Sequence, residues 1–295
     1  MCVAAVRAGR SARSRWRHVV AQQMSRVRAG GARMNVALHV PGRSLCNDRG
    51  GMKLLVACLV ALITPGLLLG QTATVEPDHI FVFVTSGGEA EADALRAHGF
   101  KIDSGVMKHS GGGTASRSAV FENFYLELIW VDSAVGVSET GRGRWVEMQR
   151  AAAWRSSGVS PFGLGLRKVG GPDEYGIPTT SYTDTWMSEG TSITMLKQPG
   201  EPRAFDVFVV PSYMALPAWI EQVSELVLHA NGARRVTAIA IHGPPDQQPG
   251  AARTLEIPSL RVVEAPAPLL MLELDEHIAG ITHDLRPLLP VIIRR

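Results

Sequence analysis

Cysteine is missing from residue 59 to the C-terminus; the chain's three are Cys2, Cys46 and Cys58. Without its first 70 or so residues the protein has no disulfide, thiol nucleophile or thiolate ligand. Any metal would be held by His, carboxylate or water, a donor set that suits Zn, Mn, Fe, Ni or Mg. No Gly-x-Ser-x-Gly elbow occurs, and GTSIT does not supply one, which argues against a Ser-His-Asp hydrolase. The segment GLGLRK lacks the third glycine and the following helix of a dinucleotide fingerprint. The glycines of HSGGGTAS precede neither Lys-Ser/Thr nor a helix, so they read as a tight turn between strands, not a phosphate cradle.

Negative charge is scarce at one end. Residues 1–51 hold ten Arg, no Lys and one Asp, a net +9, whereas the whole chain is +3, so residues 52–295 carry −6. The basic balance belongs to the leader and gives no ground for nucleic-acid binding. After Met52-Lys53 comes the apolar run LLVACLVALITPGLLL, then GQTAT. One basic residue, a short apolar core and small residues have the form of a secretory signal; a membrane anchor needs about 20 apolar residues without a central Pro-Gly. Residues 52–73 therefore read as a signal peptide cleaved between Gly70 and Ala73, and the expected location is periplasmic or secreted, with no stable membrane anchor. The Arg-rich residues 1–51 read as a spurious or disordered leader from an upstream start codon, with a transit peptide as the alternative.

The chain is organised around Asp78–Asp132. DHIFVFV is apolar on both faces, as is FYLELIWVD, with Phe124, Leu126, Leu128 and Trp130 on one side and Tyr125, Ile129 and Val131 on the other. Glu127 thus sits inside a buried strand, where an ionised carboxylate costs several kcal/mol unless a cation, metal or donor meets it. His79 is one candidate partner and Arg117 another.

A strand opening Asp-His-Ile, a helix ending HGF, a glycine-rich crossing and a strand closing Tyr-Leu-Glu-Leu together resemble the first βαβββ module of the vicinal oxygen chelate superfamily, in its glyoxalase-like branch. The resemblance is close over 78–132 and looser beyond. It implies an α+β fold of paired βαβββ modules forming a curved mixed sheet: a first module at 78–135, a linking helix at 143–158, a second module at 160–213, and a helix with a partial third repeat at 216–295. It also implies a divalent metal ion held by His79 and Glu127, with Glu127 as ligand or catalytic base. Glu273, in MLELDEH, repeats the Tyr-Leu-Glu-Leu pattern and is a third candidate ligand. The second module departs from the family pattern: SPF starts its first strand without a His, and Val209 stands where a Glu would be expected. Catalytic zinc uses three protein ligands plus water, so further ligands would come from a later repeat or from the partner of a homodimer.

Two functions follow from that resemblance. One is a metal-dependent lyase, isomerase or dioxygenase acting on a small substrate chelated through neighbouring oxygens. The other is a metal-free module that binds a small molecule without turnover.

Local signals complete the reading. Ser86 and Glu89 are spaced as a capping box, and Gly99 is placed to stop the helix that follows. Leu216–Ala230, with Pro217 in its first turn and an Ile220, Val223, Val227 stripe, reads as a helix ended by Asn231-Gly232. His109 reads as a loop residue with the option of facing the cleft; His229, His242, His277 and His283 read as structural. The Pro-punctuated tail reads as an edge segment.

Overall fold

The computed structural model describes residues 74–184, 186–197 and 200–295. The Arg-rich leader and the signal segment lie outside the described residues. Among those described, no helix is long and apolar enough to cross a membrane.

A βαβββ half and a second half of the same strand arrangement without the helix share one curled eight-stranded sheet. The first comprises β1 (Thr74–Phe83), helix α1 (Glu89–Ala97), β2 (Met107–His109), β3 (Thr114–Val120) and β4 (Tyr125–Val131). Helix α2 (Arg142–Ala152) and the short α3 (Trp154–Ser157) lead to the second half, β5 (Phe162–Gly170), β6 (Thr180–Tyr182), β7 (Ile193–Met195) and β8 (Asp206–Val210). The strand order β2-β3-β4-β1-β5-β8-β7-β6 reads the same from either end. In each half the first strand pairs in parallel with the last, and β1 and β5 meet antiparallel at the centre. The central strands are apolar on both faces because both are covered, as their unalternating sequences require.

The outer face carries α1 and a second sheet, in the order β10-β9-β11-β13-β12, built from β9 (Val236–Gly243), helix α4 (Gly250–Thr254), β10 (Leu260–Glu264), β11 (Leu269–Leu274), β12 (Thr282–Asp284) and β13 (Val291–Arg294). Ile80, Val82, Leu126 and Leu128 of the first sheet and Ile239, Leu270, Leu272 and Ile293 of the second form one continuous core. The inner face has a separate core of Phe81, Phe83, Ile129, Phe208 and Val210, against which Met148, Trp154, Trp186, Met195 and Met214 pack.

Local details differ from the expectations. Helix α1 is not closed by a Ser86–Glu89 box: Gly88 occupies the N-cap, and buried Glu91 reaches back to accept from the Thr85 N–H and hydroxyl at 3.0 and 2.9 Å. Residues 216–227 form two 3₁₀ segments, Leu216–Ala218 and Ile220–Val227, the second kinked at Val223. Ile220, Val223 and Leu226 recur every third residue, the repeat a 3₁₀ helix needs to keep one face inward. The tail is not all edge. β13 lies inside the second sheet between β11 and β12, and Pro287 and Pro290 fall in the turn joining β12 to β13, where no ladder bond is lost.

Candidate functional site on the inner face

A β-bulge starts the site. Pro77 pairs with Leu166 and His79 with Gly165, so Asp78 is the extra residue on β1. A bulge breaks the up-down alternation of a strand, and here it lets two consecutive side chains meet. The fully buried Asp78 carboxylate takes His79 Nδ1 at 3.0 Å through Oδ2 and the Leu216 N–H at 2.8 Å through Oδ1. Arg167 stands 3.6 Å from Oδ1 and donates to the Pro77 and Asn123 carbonyls, which ties β5 to the bulge. The His79 ring is then clamped, stacked on Tyr125 at 4.4 Å and edge-on to Phe208 at 5.5 Å. Burial raises the Tyr125 phenol well above its ordinary pKa, with the nearby Asp78 and Glu127 charges adding to it.

Glu127 shares that face. It pairs with Phe81, one step along from the His79–Tyr125 pair, so His79 and Glu127 lie diagonally on neighbouring strands. Its first partner is His109, whose Nε2 is 3.4 Å from Oε1. His109 is oriented by Thr114 Oγ1, 2.9 Å from Nδ1, with Ser116 Oγ 3.4 Å from Nε2. Burial would raise the Glu127 pKa, but the hydrogen bond and charge of His109, the charge of His79 and the Ser116 hydroxyl outweigh it and hold it at about 2. A carboxyl depressed from its usual 4.5 contributes stability that is present above pH 4.5 and lost as pH falls towards 2. We expect a loss of about 3 kcal/mol over that window in acid-unfolding curves, absent from Glu127→Gln. Identical curves for the two proteins would contradict the pairing.

Arg117 is not that partner: it pairs with Glu89 at 2.8 Å and lies opposite Leu128 in the β3–β4 ladder, on the other face from Glu127. Glu273 is not brought to the site. It lies on β11 in the second sheet, antiparallel to β9, and faces Arg294 at 3.7 Å. The Leu-Glu-Leu pattern recurs there, and β11 also has a parallel neighbour, β13, but that pair lies in the other sheet, away from His79. His109, given from the sequence only the option of facing the cleft, belongs to the site, as do Asp78 and Arg167, which were not singled out for it. The register of the short β2, which sets His109 opposite Thr114, has no strong sequence signal.

In the second half the inner positions offer no counterpart. Gly163 and Gly165 of β5 are where the Phe81 and His79 rings lie; a Cβ at Gly165 would fall 2.1 Å from the His79 ring, and one at Gly163 2.0 Å from Phe81. The residue beside Gly165 on β8 is Phe208, and Val209 points into the outer core. Asp206, at the start of β8, is neutralised by Arg144 of α2 and by Lys197 at 3.3 Å, which together outweigh its burial and lower its pKa. Among the described residues no group of three His, Cys, Asp or Glu side chains is placed to hold a metal ion. The donors His79, His109 and Glu127 have suitable chemistry, but as arranged they satisfy one another and Asp78 and do not converge on a common point. The arrangement does not fit a resident ion.

Helix α2 lies over this face. It starts beside the glycine turn, where Trp145 fills the space that a side chain at Gly113 (φ 68°) would need. Asp184 accepts from the Ser138 and Tyr182 hydroxyls at 3.0 and 2.7 Å, joining the loop before α2 to the second half.

A family model described as a glyoxalase-like domain matches residues 78–254, which spans both halves of the eight-stranded sheet and continues into the second. A search of curated proteins found no match. Among solved structures, the chain is similar to a hypothetical protein from Staphylococcus aureus at 10% identity and a TM-score of 0.39, over 75% of this chain and 98% of that one. That likeness is too slight to carry an argument.

Proposed function

Since the chain belongs to the glyoxalase-like domain family, a family of the vicinal oxygen chelate superfamily, we propose that its inner face binds a small molecule without a resident metal. One observation carries this reading: the second-half positions facing β1 here are Gly163, Gly165 and Phe208, which supply no donor, and the space beside the two glycines is taken by the Phe81 and His79 rings. The polar chemistry offered to a ligand is then the Asp78–His79 pair and the Glu127–His109 pair, set in an apolar surround of Phe81, Phe83 and Phe208. Such a site suits a small ligand with an apolar body and one or two oxygens.

His79 and Glu127 are 4% and 8% exposed, so a ligand reaches them only by displacing the cover. Met148, Met187, Met195 and Met214 belong to or pack against the Phe81, Phe83 and Phe208 cluster on the same face, and unbranched thioether side chains re-pack at low cost. The test is NMR of methionine methyl groups in the purified protein, titrated with catechol as a probe that has an aromatic body and two neighbouring oxygens. Expected is saturable, concerted movement of those four methyl resonances, with Met107 and Met271 unmoved. Movement confined to Met107 or Met271, or none, would overturn the reading.

A further inference from the structure

Away from the inner face, three histidines meet where the end of α1 touches the second sheet and the connector leading into it. His229 lies between Phe121 and Phe100, with ring centroids 4.7 and 5.8 Å away. His283 of β12 lies 5.5 Å from Phe100 and 4.7 Å from His98, at the C-cap of α1. The Lys101 N–H donates to His229 Nδ1 at 2.9 Å, which makes that nitrogen an acceptor and the ring neutral. His229 Nε2 is buried and points toward the Val120 carbonyl without reaching hydrogen-bond geometry, and His283 Nε2 is buried without a partner. Few bonds close the seam: Asn231 Nδ2 to the His98 carbonyl at 2.9 Å and Asn231 N–H to the Gly99 carbonyl at 3.3 Å.

We propose that this seam is an acid-sensitive joint, in which protonation of His229 and His283 releases the 228–235 connector and β12 from the end of α1. The step is local chemistry. A proton on His229 Nδ1 removes the acceptor of the Lys101 N–H and sets two donors against each other. A proton on His283 puts a cation beside Arg295 and 4.7 Å from the tilted His98 ring.

The charged groups around the rings mostly favour release. Lys101 and Arg295 oppose protonation in the closed state, and Asp275 alone favours it at His229. Burial first, then Lys101, holds His229 at about 4, and burial with His98 and Arg295 lowers His283. Both groups have folded pKa values below the ordinary 6.5, so their contribution is full above pH 6.5 and is lost as pH falls below it, for His229 towards about 4. The joint is therefore closed at neutral pH and loosens in mild acid.

Hydrogen exchange by mass spectrometry on the purified protein at pH 7.5 and 5.0, corrected for the intrinsic rate, reads this directly. Expected is an acceleration of about tenfold or more in peptides covering 98–101, 228–235 and 281–285, with β1 and β4 unchanged. The double variant H229N/H283N keeps the pH 7.5 pattern at pH 5.0. Equal wild-type exchange at both pH values, acceleration spread evenly through β1 and β4, or acceleration that persists in the variant would overturn the proposal. Should the variant fail to fold, wild-type NMR decides: the Lys101 amide should move with the His229 ring titration, and an amide indifferent to it would overturn the joint.

Discussion

Asp78→Ala lowers the unfolding free energy by about 3–5 kcal/mol, the usual cost of removing one partner from a buried charged set. The side chain has zero exposure and three dependents: His79 Nδ1, the Leu216 N–H and the Arg167 guanidinium. Alanine removes a partner from each of the three. Arg167 keeps Glu76 and two carbonyls, so the heaviest losses fall on the imidazole and the Leu216 amide. Asp78→Asn keeps an acceptor for Leu216 and should recover part of the loss. Urea unfolding with both variants measures the difference. A cost under about 1 kcal/mol for alanine would mean that Asp78 is not the anchor of the bulge.

Gly165→Ala is the second large effect, and its cause is steric. The added methyl would sit 2.1 Å from the His79 ring, which Tyr125 and Phe208 hold in place, so ring and strand must both shift. Overpacking of this kind costs about 2–3 kcal/mol. Gly143, within α2, has open space where its Cβ would be; alanine there should be neutral or stabilise by about 0.5–1 kcal/mol through helix propensity. A pair of urea curves in which both glycine variants behave alike would contradict the close approach of β1 to β5, and with it the reason why β5 carries no ligand.

These two positions also mark how far the sequence could be read. The apolar runs DHIFVFV and YLELIWV announce strands buried on both faces, and the glycine run between them announces a turn, so the first half and the burial of Glu127 were legible. The bulge was not. Nothing in Val-Glu-Pro-Asp-His distinguishes an extra residue from an ordinary strand start, although Pro77 is a residue that tolerates lost pairing. The same holds for His109: a three-residue strand has too little pattern to fix its register, and a one-residue slip would turn its ring to the other face.

The later chain shows two other limits. The stripe Ile220, Val223, Val227 has α-helical spacing, so 216–230 reads as a regular helix; Leu226 in place of Val227 gives the every-third-residue repeat that the observed 3₁₀ segment buries. Leu-Glu-Leu in β11 copies Leu-Glu-Leu in β4, but a motif does not say which sheet its strand joins. Each strand has a parallel neighbour, β1 for β4 and β13 for β11, yet Glu273 ends up in a different sheet from His79. Gly163 and Gly165 lay in plain view as Gly-Leu-Gly-Leu, yet their meaning depends on which rings lie across from them.

The most direct measurement on the inner face is anomalous diffraction from crystals of the protein soaked in turn with zinc, manganese, nickel and iron(II) salts. The arrangement of His79, His109 and Glu127, with glycines and Phe208 opposite, predicts no anomalous peak within coordination distance, about 2.0–2.3 Å, of both His79 Nε2 and a Glu127 oxygen. A peak bridging those two groups, absent from crystals of His79→Ala, would contradict it and restore the Lewis-acid reading.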